Sequence, residues 1–293
     1  MFTPFAFRNV RVEEVTPTPP AGWNPADFTD IKAWWKAGEG ETMNATDTSK
    51  LEKWTDQING YILTQSFNAN PNLTAIERMP STDASYSDLN NQPIVRFGMT
   101  TNGSFTNAPQ YLYTTTTFPA LSSESYTQII IMNYISRNGA EAYTAPLVGQ
   151  INFSNVKRFW FDRINSNGHI RNVIQIGTGT AQLVDSGDTV SLGSQNVLWS
   201  QYQAGNGDTY FGFNTTTGSL EYNGATTNDT WATSTLFGIN GSLVGTSNVG
   251  SLANTRANDM AVAEVILIYG EPSASEWAEL KSYVSTTYGI TIS

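Results

Sequence analysis

The sequence of 293 residues contains no cysteine, and His169 is its single histidine. Without thiols the chain forms no disulfide framework, thiolate zinc site or iron–sulfur cluster, and it offers no cysteine nucleophile. A single imidazole also excludes sites that need two histidines, such as the HExxH metalloprotease motif. A chain of this length buries a full hydrophobic core, so it needs no disulfide or metal to fold.

Charged residues and long apolar runs are also scarce. Charged residues make up 14% of the chain, and the net charge is −10. Nucleic acid binding requires clustered lysine and arginine, so nucleic acid is not an expected partner. No apolar run approaches the 18 residues of a membrane span, so membrane insertion is not expected. The segment from Met1 to Arg8 lacks the pattern of a secretory signal, and we expect synthesis in the cytoplasm without export.

The first 22 residues differ in composition from the rest. Apolar and polar residues alternate over the first 12 positions, and the segment VTPTPP follows, in which repeated proline favours a stiff extended connector. We expect residues 1–22 to form an ordered arm that docks on a larger assembly, or else packs on its own domain. The residues assigned to anchoring are Phe2, Phe5, Phe7, Arg8 and Val10. Residues 23–293 are expected to form one domain.

That second region has the pattern of an all-β protein. Short runs of β-branched and aromatic residues alternate with Asn-Gly, Gly-Asp and Ser-Gly pairs, which tolerate the backbone of tight hairpin turns. Many short strands without long helices between them predict a two-sheet antiparallel β-sandwich or jelly roll.

One helix is predicted at the end of the chain. Ser273 and Glu276 have the spacing of a capping box, and Gly289 suits the position just after a helix. Between them, apolar side chains recur on one helical face, at Trp277, Leu280, Val284 and Tyr288. A weaker helical pattern covers residues 48–54.

Several segments, taken in order, resemble one family. They are the stretch from Asp30 through Trp34, the motif KWTDQING at residues 53–60, NQPIVRF at 91–97, AEVILIY at 263–269, and Tyr288-Gly289-Ile290. The ordered set resembles the laminin-G-like, concanavalin-A-like jelly-roll domains of bacteriophage virion proteins and bacterial surface proteins. This resemblance implies a sandwich of two curved antiparallel sheets, and binding or structural work more often than catalysis.

Catalytic patterns of such folds are missing or incomplete. Glycosidases with this fold use an ExDxxE strand motif, because alternation brings its carboxylates to one face, and that spacing does not occur. Glu264 lies among apolar residues and is interpreted as a structural carboxylate bonded to nearby backbone. His169, Arg171 and Gln175 share alternating positions, which leaves a polysaccharide lyase as an alternative. We therefore expect no enzyme activity.

Tryptophans are the remaining candidates for binding. Trp34, Trp54, Trp199 and Trp277 lie in apolar patterns and are assigned to the core. Sugars stack on exposed aromatic rings while nearby acids bond their hydroxyls, so the predicted glycan-binding residues are Trp160, Asp162, Trp231 and Asp229. No cofactor is expected. Calcium is a weaker alternative at Asp185, Asp188 and Asp208, because oxygen-rich turns suit that ion.

The combined features predict a bacteriophage virion structural protein on the virion surface. It would be a capsid decoration, head fibre or tail-associated protein with a lectin-like domain for host-glycan adhesion or shell stabilisation. The absence of cysteine fits folding in a reducing cytoplasm. Its expected partners are other virion proteins through the arm and host surface glycans, and a homo-oligomer is left as an alternative. The alternatives are a free bacterial carbohydrate-binding module and a polysaccharide-degrading enzyme.

Overall fold

The computed structural model describes residues 22–65, 76, 79–102, 105–114, 124–138, 147–152, 157–163, 168–175, 182–205, 207–222, 236–240 and 257–293. Within these ranges the chain is mostly β, with two large antiparallel sheets and a C-terminal helix. The predicted all-β class is confirmed. The predicted anchoring residues Phe2, Phe5, Phe7, Arg8 and Val10 lie outside the described residues.

The first sheet, sheet A, has eight strands in the described chain. Seven follow the order β17 (Ser219–Tyr222), β16 (Thr209–Phe213), β15 (Ser194–Tyr202), β10 (Tyr126–Asn138), β19 (Ala257–Ile268), β6 (Gln92–Phe97) and β5 (Ser81–Tyr86). The eighth, β1 (Ile31–Lys36), pairs with residues 264–268 of β19, whereas β6 pairs with residues 260–262. Strand β19 is thus central, and β1 and β6 share one of its edges.

The second sheet, sheet B, has nine strands in the described chain. Their order is β14 (Gln182–Thr189), β13 (His169–Gln175), β12 (Lys157–Arg163), β11 (Val148–Asn152), β18 (Leu236–Ile239), β9 (Leu112–Thr114), β4 (Ile62–Thr64), β3 (Leu51–Thr55) and β2 (Glu41–Met43). A separate hairpin joins β7 (Met99–Asn102) to β8 (Phe105–Pro109).

The weak helical prediction for residues 48–54 is wrong, because most of that segment is strand β3. Met43 pairs with Leu51 and Thr42 with Lys53, so Glu52 is an extra residue in the ladder. This β-bulge puts Leu51 and Trp54 in the core although they are three positions apart. A spacing of three is typical of a helix, and here a bulge produces it.

The main core lies between the two sheets. Trp35 of sheet A stacks on Phe237 of sheet B, with ring centroids 5.2 Å apart and an interplanar angle of 2°. Both rings belong to the same buried cluster as Trp54, which confirms the core assignment of that tryptophan. Neighbouring side chains of a strand point to opposite faces, so Trp34 belongs to a second core on the other face of sheet A.

The C-terminal helix, Ala274–Tyr288, covers that other face. Its buried side chains are Leu280, Val284 and Tyr288, as its sequence pattern predicts. The capping box of Ser273 is formed, and the helix ends at Gly289, whose φ of 69° is left-handed. Trp277 is half-buried against the buried Trp199, with centroids 4.7 Å apart. In the described part of the chain, no helix is long and apolar enough to cross a bilayer.

Candidate functional site

Glu264 is a fully buried carboxylate in strand β19. Ile131 pairs with Glu264 and Met132 with Val262, which leaves Ala263 as the extra residue of a β-bulge. The bulge changes the alternation of the strand, so Glu264 lies on the helix-covered face.

Three side chains from two other elements donate hydrogen bonds to this carboxylate. The Trp34 indole Nε1 lies 3.0 Å from Oε2, and the hydroxyls of Tyr283 and Tyr288 both bond Oε1. Burial raises the pKa of Glu264 to about 7, and the three hydrogen bonds oppose the rise. Burial raises the pKa of the Tyr288 hydroxyl far above its usual value, and the neighbouring Glu264 carboxylate raises it further.

This carboxylate therefore joins β1, β19 and the helix. The sequence prediction of a structural role fits the geometry, because both oxygens are occupied by core side chains. Its partners are side chains, however, and not the backbone groups that the sequence suggested. No local sequence pattern predicts these partners, because Trp34, Tyr283 and Tyr288 lie 230, 19 and 24 positions from Glu264.

Two of the predicted glycan-binding positions fall on strand β12. Trp160 pairs with Val173, and Asp162 pairs with Arg171. Ile170 lies in the core between the sheets, so its neighbour Arg171 belongs to the opposite, outer face of sheet B. Directly paired residues share a face, so the register also assigns positions 160 and 162 to that face. The other two predicted residues, Trp231 and Asp229, lie outside the described residues.

The remaining sequence candidates lie on strands β13 and β14 and beside β16. Asp185 and Asp188 belong to strand β14, whereas the calcium alternative required them to lie in a turn. Asp208 lies just before β16, in the other sheet. Among the residues that the structure describes, no group of three acids or histidines is placed to hold a metal ion. His169 is half-buried at the start of β13, and Arg171 is buried two positions later.

An open cleft of about 400 Å³ lies at one end of sheet A. Strand β1 begins there, and strand β19 ends there. Its lining consists of Asp30, Ile31, Lys32, Glu124 and Tyr269. Sequence reasoning missed this site because its residues come from three separate chain segments. Asp30 and Tyr269 belong to segments of the family resemblance, which is the one signal that could have indicated them.

The aromatic wall of this cleft is held in place. The ring of Tyr269 meets the buried ring of Tyr126 edge-on, with centroids 5.7 Å apart. Its backbone N–H donates to the Asp30 carbonyl at 3.0 Å. The Lys32 ammonium lies 5.3 Å from the centroid of the Tyr269 ring, a distance typical of a cation–π contact.

A neighbouring loop fixes the lysine. Ile31 pairs with Ile268 and Ala33 with Leu267, so Lys32 is the extra residue of a third β-bulge. The side-chain amide of Asn59 donates to the Lys32 carbonyl at 2.8 Å. Asn59 belongs to a loop that is organised by the buried Asp56. The Asp56 carboxylate accepts a hydrogen bond from the backbone N–H of Asn59 at 2.9 Å.

The cleft thus combines a fixed aromatic ring with hydrogen-bonding groups of both signs. The exposed carboxylates of Asp30 and Glu124 accept hydrogen bonds, and the Lys32 ammonium donates them. Such a set is suited to a small ligand that has an apolar face and several hydroxyls.

No protein-family model and no curated protein sequence matches the chain. Among solved structures, it is similar to the binding domain of Paraclostridial Mosquitocidal Protein 1, with a TM-score of 0.55 and 11% identity over 87% of this chain and 52% of that chain. The botulinum neurotoxin serotype G binding domain matches with a TM-score of 0.50 and 10% identity, over 87% and 51%. The native heptameric SAP-like pentraxin from Limulus polyphemus has a TM-score of 0.48 and 12% identity, over 64% and 80%.

The chain spans about half the length of the two toxin binding domains. At these identities the likeness concerns the fold alone. The likeness to the two toxin binding domains agrees with the two-sheet sandwich of the structure, and the chain has a jelly-roll β-sandwich architecture.

Proposed function

We propose that this chain is a glycan-binding protein that a bacteriophage particle displays on its surface. The observation that carries the binding is the cleft whose wall is the ring of Tyr269. Sugar rings have an apolar face that packs on aromatic side chains, and their hydroxyls bond carboxylates and ammonium groups. Tyr269, Asp30 and Lys32 supply one group of each kind around about 400 Å³.

The dimensions and the rigidity of the cleft support this proposal. Its volume falls within the range of about 300–1,000 Å³ that is usual for small-ligand sites. Tyr126 and the Asp30 carbonyl hold Tyr269, so little conformational freedom is lost when a ligand binds. A sugar bound there would contact side chains that are already in position.

The outer face of sheet B is a second surface for the same function. Trp160 and Asp162 occupy neighbouring positions on that face, beside the buried Arg171. We propose that Trp160 stacks on a sugar ring and that Asp162 accepts hydrogen bonds from its hydroxyls. Trp231 and Asp229 remain sequence predictions for the same role.

Display on a virion is supported by the sequence of the arm. Phe5 and Phe7, and then Val10 and Val12, are spaced by two, a pattern that can add a strand to the sheet edge of another virion protein. The proline-rich segment after them would keep the domain away from the particle surface. The absence of cysteine suits a chain that folds in a reducing cytoplasm and is later exposed outside it.

Glycan binding is tested with the full chain on an array of bacterial surface polysaccharides and oligosaccharides, followed by calorimetric titration of the hits. Tyr269→Leu should weaken binding at least about fivefold, if a sugar ring gains as much from the aromatic ring as a stacked nucleobase does, about 1–3 kcal/mol. Tyr210→Leu is the matched control, since Tyr210 is another half-buried tyrosine of sheet A. An array without hits, or equal affinities of the two variants, would contradict the proposed function of the cleft.

Display on a particle is tested through the arm. Replacing Phe2, Phe5, Phe7 and Val10 by serine should abolish incorporation into particles during infection. The soluble variant should keep the thermal unfolding midpoint of the wild type. Normal incorporation of the variant would show that the arm is not the anchor.

A further inference from the structure

Three charged side chains surround the cleft without neutralising one another. In the described chain, the ion pairs within salt-bridge distance are Lys36–Glu39 and Arg96–Asp259. Asp30, Lys32 and Glu124 take no part in them, although all three line the cleft. Their charges therefore remain to act on a ligand.

The balance of these charges is negative. Asp30 and Glu124 are both exposed, whereas the Lys32 ammonium lies near the ring of Tyr269. A further carboxylate, Glu271, stands at the same end of sheet A. It accepts hydrogen bonds from the Ser125 hydroxyl at 2.8 Å and from the Gln203 amide at 2.9 Å. The lining of the cleft therefore has two carboxylates and one ammonium, and Glu271 adds a third carboxylate near Ser125, the residue after Glu124.

The position of the Lys32 ammonium near the Tyr269 ring suits contact with a sugar hydroxyl better than the capture of an anion. The ammonium lies 5.3 Å from the centroid of the Tyr269 ring, and the bond from Asn59 to the Lys32 carbonyl holds the backbone at the bulge. A sugar that packs against the ring would meet this ammonium at its rim, where a hydroxyl oxygen can accept a hydrogen bond. A carboxylate or sulfate on the sugar would also lie close to Asp30 and Glu124, and their repulsion would oppose its binding.

We infer that the cleft binds saccharides without an anionic group, and most tightly those that have a free amino group. This inference depends on the proposed glycan binding. An amino sugar adds a cation between Asp30 and Glu124 and keeps the ring face for Tyr269. Sialic acids, uronic acids and sulfated sugars are disfavoured. The observation behind the inference is the juxtaposition of two unpaired carboxylates with a fixed tyrosine ring.

Two matched sugar series test this selectivity on the full-length protein. One series is glucose, glucosamine and glucuronic acid, and the other has the corresponding members built on galactose, each as a terminal unit on the same linker. Within the series that binds, we expect affinity to fall from the amino sugar to the neutral sugar to the uronate. At low salt the two extremes should differ at least about threefold, because an exposed charge pair contributes about 0.2–1 kcal/mol. In 1 M NaCl the ratio of the two affinities should shrink to about twofold, because salt at that concentration screens charge interactions beyond about 3 Å.

Charge-neutral variants identify the groups responsible. The double variant Asp30→Asn/Glu124→Gln keeps the size and polarity of both side chains while it removes their charges, and it should lose the preference for the amino sugar. The double variant Glu52→Gln/Asp83→Asn removes two carboxylates that do not line the cleft and should keep that preference. Equal or tighter binding of the uronate, or an unchanged preference in the first variant, would overturn the selectivity and leave glycan binding intact. Failure of every sugar to bind would overturn the proposed function together with this inference.

Discussion

Replacing Glu264 by glutamine removes a titrating group from the core while keeping its size. In the folded chain, burial raises the pKa of this carboxyl from 4.5 to about 7, although Trp34, Tyr283 and Tyr288 all donate to it. The folded state therefore holds its proton more tightly than the unfolded state does. The resulting stabilisation is complete below pH 4.5, falls as the pH rises, and is lost above about pH 7.

The size of this effect follows from the two pKa values. Their difference corresponds to about 3 kcal/mol between the acidic and alkaline limits, and most of that change falls between pH 5 and pH 8. A domain is typically stable by about 5–15 kcal/mol, so the effect is easily measured. Because Glu264→Gln is neutral at every pH, the variant should lack this part of the pH dependence.

Urea unfolding followed by tryptophan fluorescence at pH 5, 6, 7 and 8 measures it. Both proteins share every other titrating group, so the difference between their unfolding free energies isolates Glu264. We expect the wild type to lose about 2–3 kcal/mol relative to Glu264→Gln from pH 5 to pH 8. A difference that stays constant within about 0.5 kcal/mol would refute the reasoning, because Glu264 would then not titrate in this range.

Three further predictions concern single positions. Gly212→Ala should cost about 2 kcal/mol in urea unfolding, because its Cβ would stand 2.1 Å from the Trp199 indole. Gly205→Ala meets no atom within 4 Å and should change stability by less than about 0.5 kcal/mol, so equal effects would contradict this packing. Ser273→Ala should lower stability by about 1 kcal/mol through loss of the helix cap, and an unchanged urea midpoint would count against that cap. Trp160→Ala should weaken glycan binding in calorimetric titration without abolishing it, and full retention of affinity would remove sheet B from the binding surface.

The sequence indicates the elements whose signals are local. The C-terminal helix is an example, because Ser273, the apolar stripe and Gly289 all lie within 17 residues and specify its start, face and end. The two-sheet sandwich follows in the same way from short β-rich runs and turn pairs. These features depend on neighbouring residues, so no knowledge of strand pairing is needed.

Bulges account for what the sequence patterns miss. At Glu52 a bulge gives a strand the spacing of a helix, and at Ala263 another turns Glu264 toward the helix. A third makes Lys32 an unpaired residue at the edge of the cleft. A bulge depends on which residue of the partner strand is paired, and a single segment does not contain that information.

The cleft also depends on strand pairing, which a single segment does not show. Asp30, Glu124 and Tyr269 are separated by more than 90 positions from one another, and the pairing of β1 and β10 with β19 brings them together. Individually, each of these residues resembles an ordinary loop residue. Their shared position becomes visible once the register of the sheet is known.

The central claim is that the cleft at the end of sheet A binds sugars against Tyr269. The most direct test is calorimetric titration of the full chain with the best array hit, for wild type, Tyr269→Leu and Tyr210→Leu. We expect saturable binding by the wild type and Tyr210→Leu, and at least about fivefold weaker binding by Tyr269→Leu. Binding of equal strength by all three proteins, or none by the wild type, would contradict the account.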